Sequence, residues 1–297
     1  MATPAQWLEG ARPRTLPAAV APVLAGTGVA AFLDQAVWWK ALLALVVSLA
    51  LQVGVNYAND YSDGIRGTDE NRVGPLRLVG SGAATARSVK LAAFGCFGAA
   101  AVVGLVLAAT TSWWLVLLGL LCIVAAWFYT GGKSPYGYHA LGEVMVFVFF
   151  GLVAVMGTTY VQTSTLAAES LVPSLYAGIG VGALACAILV ANNLRDIPTD
   201  RVAGKRTLAV VLGEGRTRAL FALLLGAAAV SLLALALATT WWALLGLVFV
   251  ATAVPAARLV LAGTTGRELV PVLQKTGVAE LLYAVGAFAG LLVGVIS

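Results

Sequence analysis

The sequence has little charge and little cysteine. Of its 297 residues, 18 are Lys or Arg and 13 are Asp or Glu, whereas 61% are hydrophobic. Its mean hydropathy of +0.95 lies well outside the range of soluble globular or disordered chains. The three cysteines, Cys96, Cys122 and Cys186, lie within apolar runs, where a thiol packs as a small hydrophobic group. These deficits exclude a disordered chain and a disulfide-stabilised secreted domain, and they predict an integral membrane protein.

Nine apolar segments are long enough to cross a bilayer, which takes about 20 residues. They cover residues 15–32, 38–57, 89–109, 112–129, 141–161, 171–192, 218–238, 241–261 and 276–296. With nine crossings, Lys40 is alone on its side, and the other basic residues all fall on the side of the N-terminus. The positive-inside rule makes that side cytoplasmic. We therefore predict one all-α bundle over residues 1–297, with nine transmembrane helices in a bacterial-type cell membrane.

Two of the predicted cytoplasmic loops are long, at residues 59–88 and 193–217. Loops on the opposite side are very short, and tryptophan pairs flank them, as expected for an interfacial aromatic belt. Long loops in a compact chain usually carry function. We therefore expect the functional site at the cytoplasmic face, built from these two loops, and we expect no nucleic-acid partner.

The first long loop grows out of the second span with the string Asn-Tyr-Ala-Asn-Asp-Tyr-Ser-Asp-Gly, residues 56–64. If the helix continues through this string, Asn56, Asp60 and Asp63 stand three or four residues apart and share one face. That face would present amide and carboxylate oxygens, which are ligands that Mg²⁺ prefers.

The second long loop repeats the pattern, because Asn192, Asp196 and Asp200 recur every four positions. Two acidic helix ends that approach each other repel unless a cation lies between them. Mg²⁺ typically binds through a few carboxylates together with the phosphates of a substrate. The two motifs therefore predict a Mg²⁺ site formed from both loops.

Basic residues accompany both acidic motifs. Arg77 follows the first, Lys205 and Arg206 follow the second, and Arg12 and Arg14 precede the first span. Guanidinium and ammonium groups form strong, charge-assisted hydrogen bonds to phosphate oxygens. The mixture of acids and bases fits a diphosphate substrate better than an isolated metal ion.

At these residues the sequence resembles the UbiA superfamily of intramembrane prenyltransferases. The resemblance rests on Ala-Arg-Pro-Arg-Thr-Leu at 11–16, Asn-Asp-Tyr-Ser-Asp-Gly at 59–64, Gly-Pro-Leu-Arg at 74–77, and the segment 192–208. It implies about nine helices and two motifs that hold a polyprenyl diphosphate through Mg²⁺. Within the superfamily, the strings are most similar to the branch that prenylates 1,4-dihydroxy-2-naphthoate in menaquinone synthesis. They also contain Asn59, Asn193 and Arg195, which we include among the substrate-binding residues.

One departure from the superfamily pattern bears on the metal ligands. The first motif is usually Asn-x-x-x-Asp-x-x-x-Asp, but here the fourth residue after Asp60 is Gly64, and the next carboxylate is Asp63. The departure favours Asp60 as a ligand, while Asn59 with Asp63 forms a rival register four residues apart.

The resemblance also implies roles for Tyr129 and Lys133, which match a Tyr-x-x-x-Lys motif of the superfamily near the diphosphate and the allylic carbon. An aromatic face stabilises an allylic cation. Glu143 lies just inside the fifth predicted span, where an ionisable residue is a functional candidate. It either activates an acceptor hydroxyl or is a structural residue at the membrane boundary.

Two other classes of protein compete with this interpretation. A transporter usually has polar residues or broken helices near the middle of the bilayer, whereas the acids here gather at one face. A CDP-alcohol phosphotransferase would carry Asp-Gly-x-x-Ala-Arg followed by further acidic residues, and this string is absent from the sequence. Within the superfamily, 4-hydroxybenzoate, homogentisate and haem are alternative acceptors.

Overall fold

A computed structural model describes residues 2–67 and 76–297. Within these ranges the chain is helical, and extended backbone pairs only at an isolated bridge between His139 and Arg206. The part of the first predicted loop that contains Asp69, Arg72 and Pro75 lies outside the described residues.

The helices follow the apolar segments of the sequence. The α-helices are α1 (Pro4–Gly10), α2 (Pro17–Phe32), α3 (Trp38–Ile65), α4 (Ala86–Thr110), α5 (Trp114–Phe128), α6 (Gly142–Val146), α7 (Ala154–Thr163), α8 (Ala168–Val202), α9 (Leu208–Ala238), α10 (Val250–Leu261) and α11 (Val270–Ile296). A π-helix, Phe147–Val153, joins α6 to α7. Shorter 3-10 helices cover Pro13–Thr15, Tyr136–Tyr138, Trp241–Phe249 and Gly266–Leu269.

Among the described residues, 7 helical segments are long and apolar enough to cross a membrane. An eighth is a pair of helices, Pro4–Thr15 and Pro17–Phe32, bent by 48° relative to each other. The remaining predicted span is α5, whose 15 residues measure about 22 Å, less than the roughly 30 Å of a hydrocarbon layer. The all-helical, multi-pass prediction is confirmed, while the ninth crossing and the sidedness stay predictions.

The bend before α2 has a local cause. Arg12 adopts the left-handed conformation, with φ of 54°, and Pro13 follows it at the first position of a 3-10 turn, where a missing N–H costs nothing. Together they end α1 and redirect the chain into α2. The bend leaves this segment beside α3, where Asn56 Nδ2 donates to the Ala11 carbonyl at 3.0 Å and Gln52 Nε2 donates to Thr15 Oγ1 at 2.8 Å.

Two of the predicted tryptophan pairs, Trp38–Trp39 and Trp113–Trp114, lie at the same end of the bundle. Lys40 Nζ donates to the Thr110 carbonyl at 3.0 Å and to Thr111 Oγ1 at 2.9 Å, and Trp114 Nε1 donates to Tyr160 Oη at 3.1 Å. These bonds join the starts of α3 and α5 to the ends of α4 and α7. The acidic motifs lie at the opposite end.

Helices replace much of the two predicted loops. In place of the loop 59–88, α3 continues to Ile65, and in place of the loop 193–217, α8 continues to Val202 and α9 begins at Leu208. Asn192 and Asp196 have a low helix propensity, but side-chain hydrogen bonds support the helix there. Arg195 Nη2 donates to Asn192 Oδ1 at 2.8 Å and to Asp196 Oδ2 at 2.7 Å. The connection between α8 and α9 is thereby reduced to 203–207.

The core forms around α8, which packs against α9, α11 and the π-helix. Glycines permit the closest approaches: a Cβ on Gly151 would lie 2.6 Å from the Gly182 Cα, and one on Gly290 would lie 1.9 Å from the Trp242 carbonyl oxygen. Helices in a lipid bilayer associate largely through such close packing.

We expect Gly290→Ala to lower the melting temperature of the purified protein in detergent. The added methyl meets a backbone oxygen that no side-chain rotation can move, so α11 must separate from the 3-10 helix at Trp242, at a cost of about 1 to 3 kcal/mol or more. The control is Gly98→Ala, because a Cβ on the exposed Gly98 meets no atom within 4 Å. Equal melting temperatures for the two variants would contradict this packing argument.

Candidate active site

Two adjoining cavities lie within the bundle and meet beside α3 at Gln52 and Asn59. One, of about 570 Å³, is lined mainly by apolar residues of α3, α4, α5 and the π-helix. The other, of about 760 Å³, is lined by charged residues of both signs. These are Glu9, Arg12, Arg14, Asp63, Arg77, Arg195, Asp196, Asp200, Lys205 and Arg267. Both cavities share Gln52, Asn59, Tyr129, Val146 and Phe150 in their walls, so a charged compartment continues into an apolar one.

Asp63 is a buried carboxylate in the wall of the polar cavity, and three side chains from other segments contact it. Its Oδ1 accepts hydrogen bonds from Tyr138 Oη at 2.6 Å and from Lys205 Nζ at 3.1 Å. Its Oδ2 lies 3.5 Å from Arg77 Nη2, and the side chain is 5% exposed. These contacts bring together an acid and two bases that the sequence predicted to act on one substrate.

The other carboxylate of the first motif has different contacts. Asp60 accepts hydrogen bonds from the backbone N–H groups of Leu78 at 2.7 Å and Val79 at 3.0 Å, and it lines neither cavity. Asn56 donates to the Ala11 carbonyl at 3.0 Å and lines only the apolar cavity. In this structure Asp60 and Asn56 therefore hold neighbouring segments, and the rival register of Asn59 with Asp63 faces the polar cavity.

The second motif lies on one wall of the polar cavity. Asn192, Asp196 and Asp200 all line it, as the four-residue spacing predicts. Arg195 holds both oxygens of Asp196, at 2.6 and 2.7 Å, and Thr207 Oγ1 lies 3.5 Å from Asp200 Oδ2. Within the described parts of the chain, no three Asp, Glu, His or Cys side chains come close enough to hold a metal ion.

The remaining predicted residues divide between the cavities and their surroundings. Tyr129 lines both cavities and Asn193 lines the polar one. Glu143 is buried behind the wall, where its Oε1 accepts a hydrogen bond from Asn193 Nδ2 at 2.9 Å. Lys133 and Arg206 are exposed and line neither cavity.

The sequence analysis missed several residues that shape this site. Thr130 Oγ1 donates to Asn59 Oδ1 at 2.7 Å, and Arg66 donates to the carbonyls of Thr130 and Gly132. Tyr138 stacks its ring beneath Lys205 Nζ, 4.7 Å from the centroid. Its only sequence signal is its position five residues after the Tyr-x-x-x-Lys motif, in a segment rich in tyrosine.

Tyr136 connects the same segment to α5. Its hydroxyl donates to the Ala125 carbonyl at 2.7 Å, and burial raises its pKa well above the usual range. The phenol therefore remains protonated and continues to donate at any pH at which the protein would be assayed.

The membrane fold is helical, and its apolar cavity continues into a polar cavity lined by residues of both charges. This arrangement is typical of an intramembrane enzyme that acts on amphiphilic substrates. Residues 19–270 match the UbiA prenyltransferase family, and the chain belongs to this family. The resemblance inferred from the motifs is thereby confirmed.

The relatives extend this assignment over the whole chain. The 1,4-dihydroxy-2-naphthoate octaprenyltransferase of Mycobacterium tuberculosis is 56% identical over 297 residues, with 100% of both chains covered. A UbiA homologue from Aeropyrum pernix K1 shares the fold with a TM-score of 0.71 at 16% identity, over 93% of this chain and 97% of that chain. A UbiA homologue from Archaeoglobus fulgidus bound to DMAPP and Mg²⁺ has a TM-score of 0.57 at 16% identity, over 96% of this chain and 99% of that chain.

The hydrogen bonds that Asp60 accepts from the backbone of Leu78 and Val79 lead to a prediction. We expect Asp60→Ala to accelerate limited proteolysis between residues 76 and 84, because the backbone N–H groups of Leu78 and Val79 lose their acceptors at a cost of about 1 to 3 kcal/mol each. Glu214→Ala is the control, since it also removes a carboxylate but one that pairs with Arg218, far from this segment in the chain. Equal proteolysis of both variants would show that Asp60 does not hold this segment.

Proposed function

We propose that the protein transfers a polyprenyl group from polyprenyl diphosphate to 1,4-dihydroxy-2-naphthoate, with loss of CO₂, to give demethylmenaquinol. The name of the full-length M. tuberculosis relative supports this acceptor. The observation that carries the proposal is the joined pair of cavities. A donor with an anionic head and a long hydrocarbon tail requires a charged compartment that continues into an apolar one.

The polar cavity supplies cations for the diphosphate. Lys205 pairs with one oxygen of Asp63 and Arg77 with the other, and Arg12 and Arg14 come from the bend before α2. One guanidinium nitrogen of Arg12, Nη2, is buried without an acceptor among the described residues. A buried unpaired donor is costly, so an anionic ligand in this cavity would relieve that cost.

The family context implies Mg²⁺, and the donor set fits this ion. Asp63, Asp196 and Asp200 line the polar cavity, and carboxylate oxygens together with phosphates are the ligands that Mg²⁺ prefers. Bound there, the ion would neutralise charge on the diphosphate. In the structure Lys205 and Arg195 hold two of these carboxylates, and a bound diphosphate would compete for the same cations.

The reaction proposed is an electrophilic substitution. The bond between the allylic carbon and the diphosphate oxygen breaks, and the diphosphate leaves with the electron pair while Lys205 and Arg77 stabilise its charge. Tyr129, at the junction of the cavities, offers an aromatic face to the allylic cation. The ring carbon that bears the carboxylate then forms the new C–C bond, and release of CO₂ returns an electron pair to the ring.

To test this function, membranes that contain the protein are incubated with a polyprenyl diphosphate and with 1,4-dihydroxy-2-naphthoate, 4-hydroxybenzoate or homogentisate as the acceptor. We expect a prenylated product and stoichiometric CO₂ from the naphthoate, no product with EDTA, and recovery with Mg²⁺. Membranes without the protein are the control. Transfer to one of the other acceptors, and none to the naphthoate, would overturn the acceptor assignment.

We expect Lys205→Met to raise the KM for polyprenyl diphosphate by roughly 10-fold or more, because it removes a charge-assisted bond worth about 1.5 to 3 kcal/mol. The KM for the acceptor should change little. Arg201→Met is the matched control, since Arg201 is exposed and lines neither cavity but carries the same charge. An equal rise in both variants would mean that general electrostatic attraction, not contact, accounts for the effect.

The nine-span, cytoplasmic-site topology can be tested at α5. If this 15-residue helix crosses the bilayer, single cysteines placed at Ser112 and Ser134 in a variant without the natural cysteines will react with impermeant reagents from opposite sides. We expect Ser134 and Ala203 to be labelled from the cytoplasm, and Ser112 and Leu166 from outside. Labelling of Ser112 and Ser134 from the same side would reduce the number of crossings to eight.

A further inference from the structure

Gln52 has an unusual place in the bundle. It lies on α3 in the walls of both cavities, and the residue is 6% exposed. Its Nε2 donates to Thr15 Oγ1 at 2.8 Å. Its Oε1 is buried and has no donor among the described residues.

The hydrogen bonds of Thr15 determine which way the Gln52 amide points. A hydroxyl has a single hydrogen to donate, and Thr15 Oγ1 gives it to the Arg12 carbonyl at 2.9 Å, which can only accept. Asn56 Nδ2 lies 3.0 Å from the same oxygen. Thr15 Oγ1 must therefore accept from both amides. Gln52 has to turn its NH₂ group toward Thr15, and its carbonyl oxygen is left without a partner among the residues that the structure describes.

A carbonyl oxygen at the junction of two cavities can accept from a ligand that carries a donor, in place of water. The prenyl chain has no O–H or N–H, and the oxygens of an ionised diphosphate only accept. Distance also separates Gln52 from Asp63 and from the two cations paired with it, because Asp63 lies eleven residues further along α3, or about 16 Å along the helix axis. Of the two substrates, only the hydroxylated aromatic acceptor carries a hydrogen that Gln52 can accept.

We infer that Gln52 is a specificity-determining residue that accepts a hydrogen bond from a ring hydroxyl of the aromatic acceptor at the junction of the two cavities. This inference rests on the proposed function. Thr15 acts as a positioning residue, because it binds the NH₂ group and so leaves the carbonyl oxygen to accept a hydrogen bond from the ligand. The bond selects acceptors by the position of their hydroxyl group and contributes nothing to the binding of the prenyl diphosphate.

The test is Gln52→Met, which keeps the length of the side chain and removes the acceptor oxygen. We expect the KM for 1,4-dihydroxy-2-naphthoate to rise roughly 10-fold, as for a lost hydrogen bond of about 1.4 kcal/mol, with an unchanged KM for polyprenyl diphosphate. The inhibition constants of 1-hydroxy-2-naphthoate and 4-hydroxy-2-naphthoate should differ in the natural protein. In Gln52→Met that difference should shrink by a similar factor, because only one of the two hydroxyls reaches Gln52.

Gln162→Met is the matched control. Gln162 is also buried, but its Oε1 accepts from the Val37 N–H at 3.2 Å and its Nε2 donates to the Thr158 carbonyl at 2.9 Å, and Gln162 itself lines neither cavity. It should lower thermal stability and leave the preference between the two monohydroxynaphthoates intact. If Gln52→Met does not fold, Gln52→Asn, which withdraws the oxygen by one methylene, replaces it.

The possible outcomes separate the inference from the proposed function. A natural protein that transfers to the naphthoate, with the same acceptor KM and the same inhibitor preference in the Gln52 variant, would overturn the inference alone. A Gln52 variant that instead loses affinity for the prenyl diphosphate would overturn it as well. A natural protein that neither binds nor prenylates the naphthoate would overturn the proposed function, and the inference with it.

Discussion

The burial of the Asp63 carboxylate is the constraint on which the rest of the site depends. A carboxylate that is only 5% exposed is strongly destabilising unless cations and donors surround it. Here the partners come from three other parts of the chain: Arg77 after α3, Tyr138 before α6, and Lys205 between α8 and α9. Satisfying one buried charge therefore brings together segments up to 142 residues apart and forms the walls of the polar cavity.

Close helix packing provides the complementary constraint. Glycines at the contacts between α11 and the 3-10 helix at Trp242, and between the π-helix and α8, let backbones approach to distances at which a methyl group would clash. Cavities remain where the helices diverge. Larger side chains such as Tyr129 and Phe150 line the junction there. The same bundle is thus tightly packed in its core and open where a substrate has to bind.

The first acidic motif illustrates what periodicity can and cannot predict. Helical spacing correctly indicates that Asn56, Asp60 and Asp63 lie on one side of α3. Three residues of an α-helix turn by about 300°, so Asp60 and Asp63 differ by only about 60° around the axis. A rotation of α3 of that size decides which carboxylate faces the cavity. The backbone N–H groups of Leu78 and Val79, which engage Asp60, select the rotation, and helical spacing holds no information about them.

The sequence by itself determined the membrane environment, the apolar segments that become helices, the two acidic motifs and the family, because these depend on composition and on residues that are near each other in the chain. Only the tertiary structure decided that Asp63 lines the polar cavity, that Glu143 lies behind its wall and that Lys133 and Arg206 remain outside it. It also decided that the Gln52 oxygen has no donor within residues 2–67 and 76–297. Each of these outcomes depends on contacts between residues distant in the chain. Such contacts follow from helix rotation and packing, which local spacing leaves undetermined.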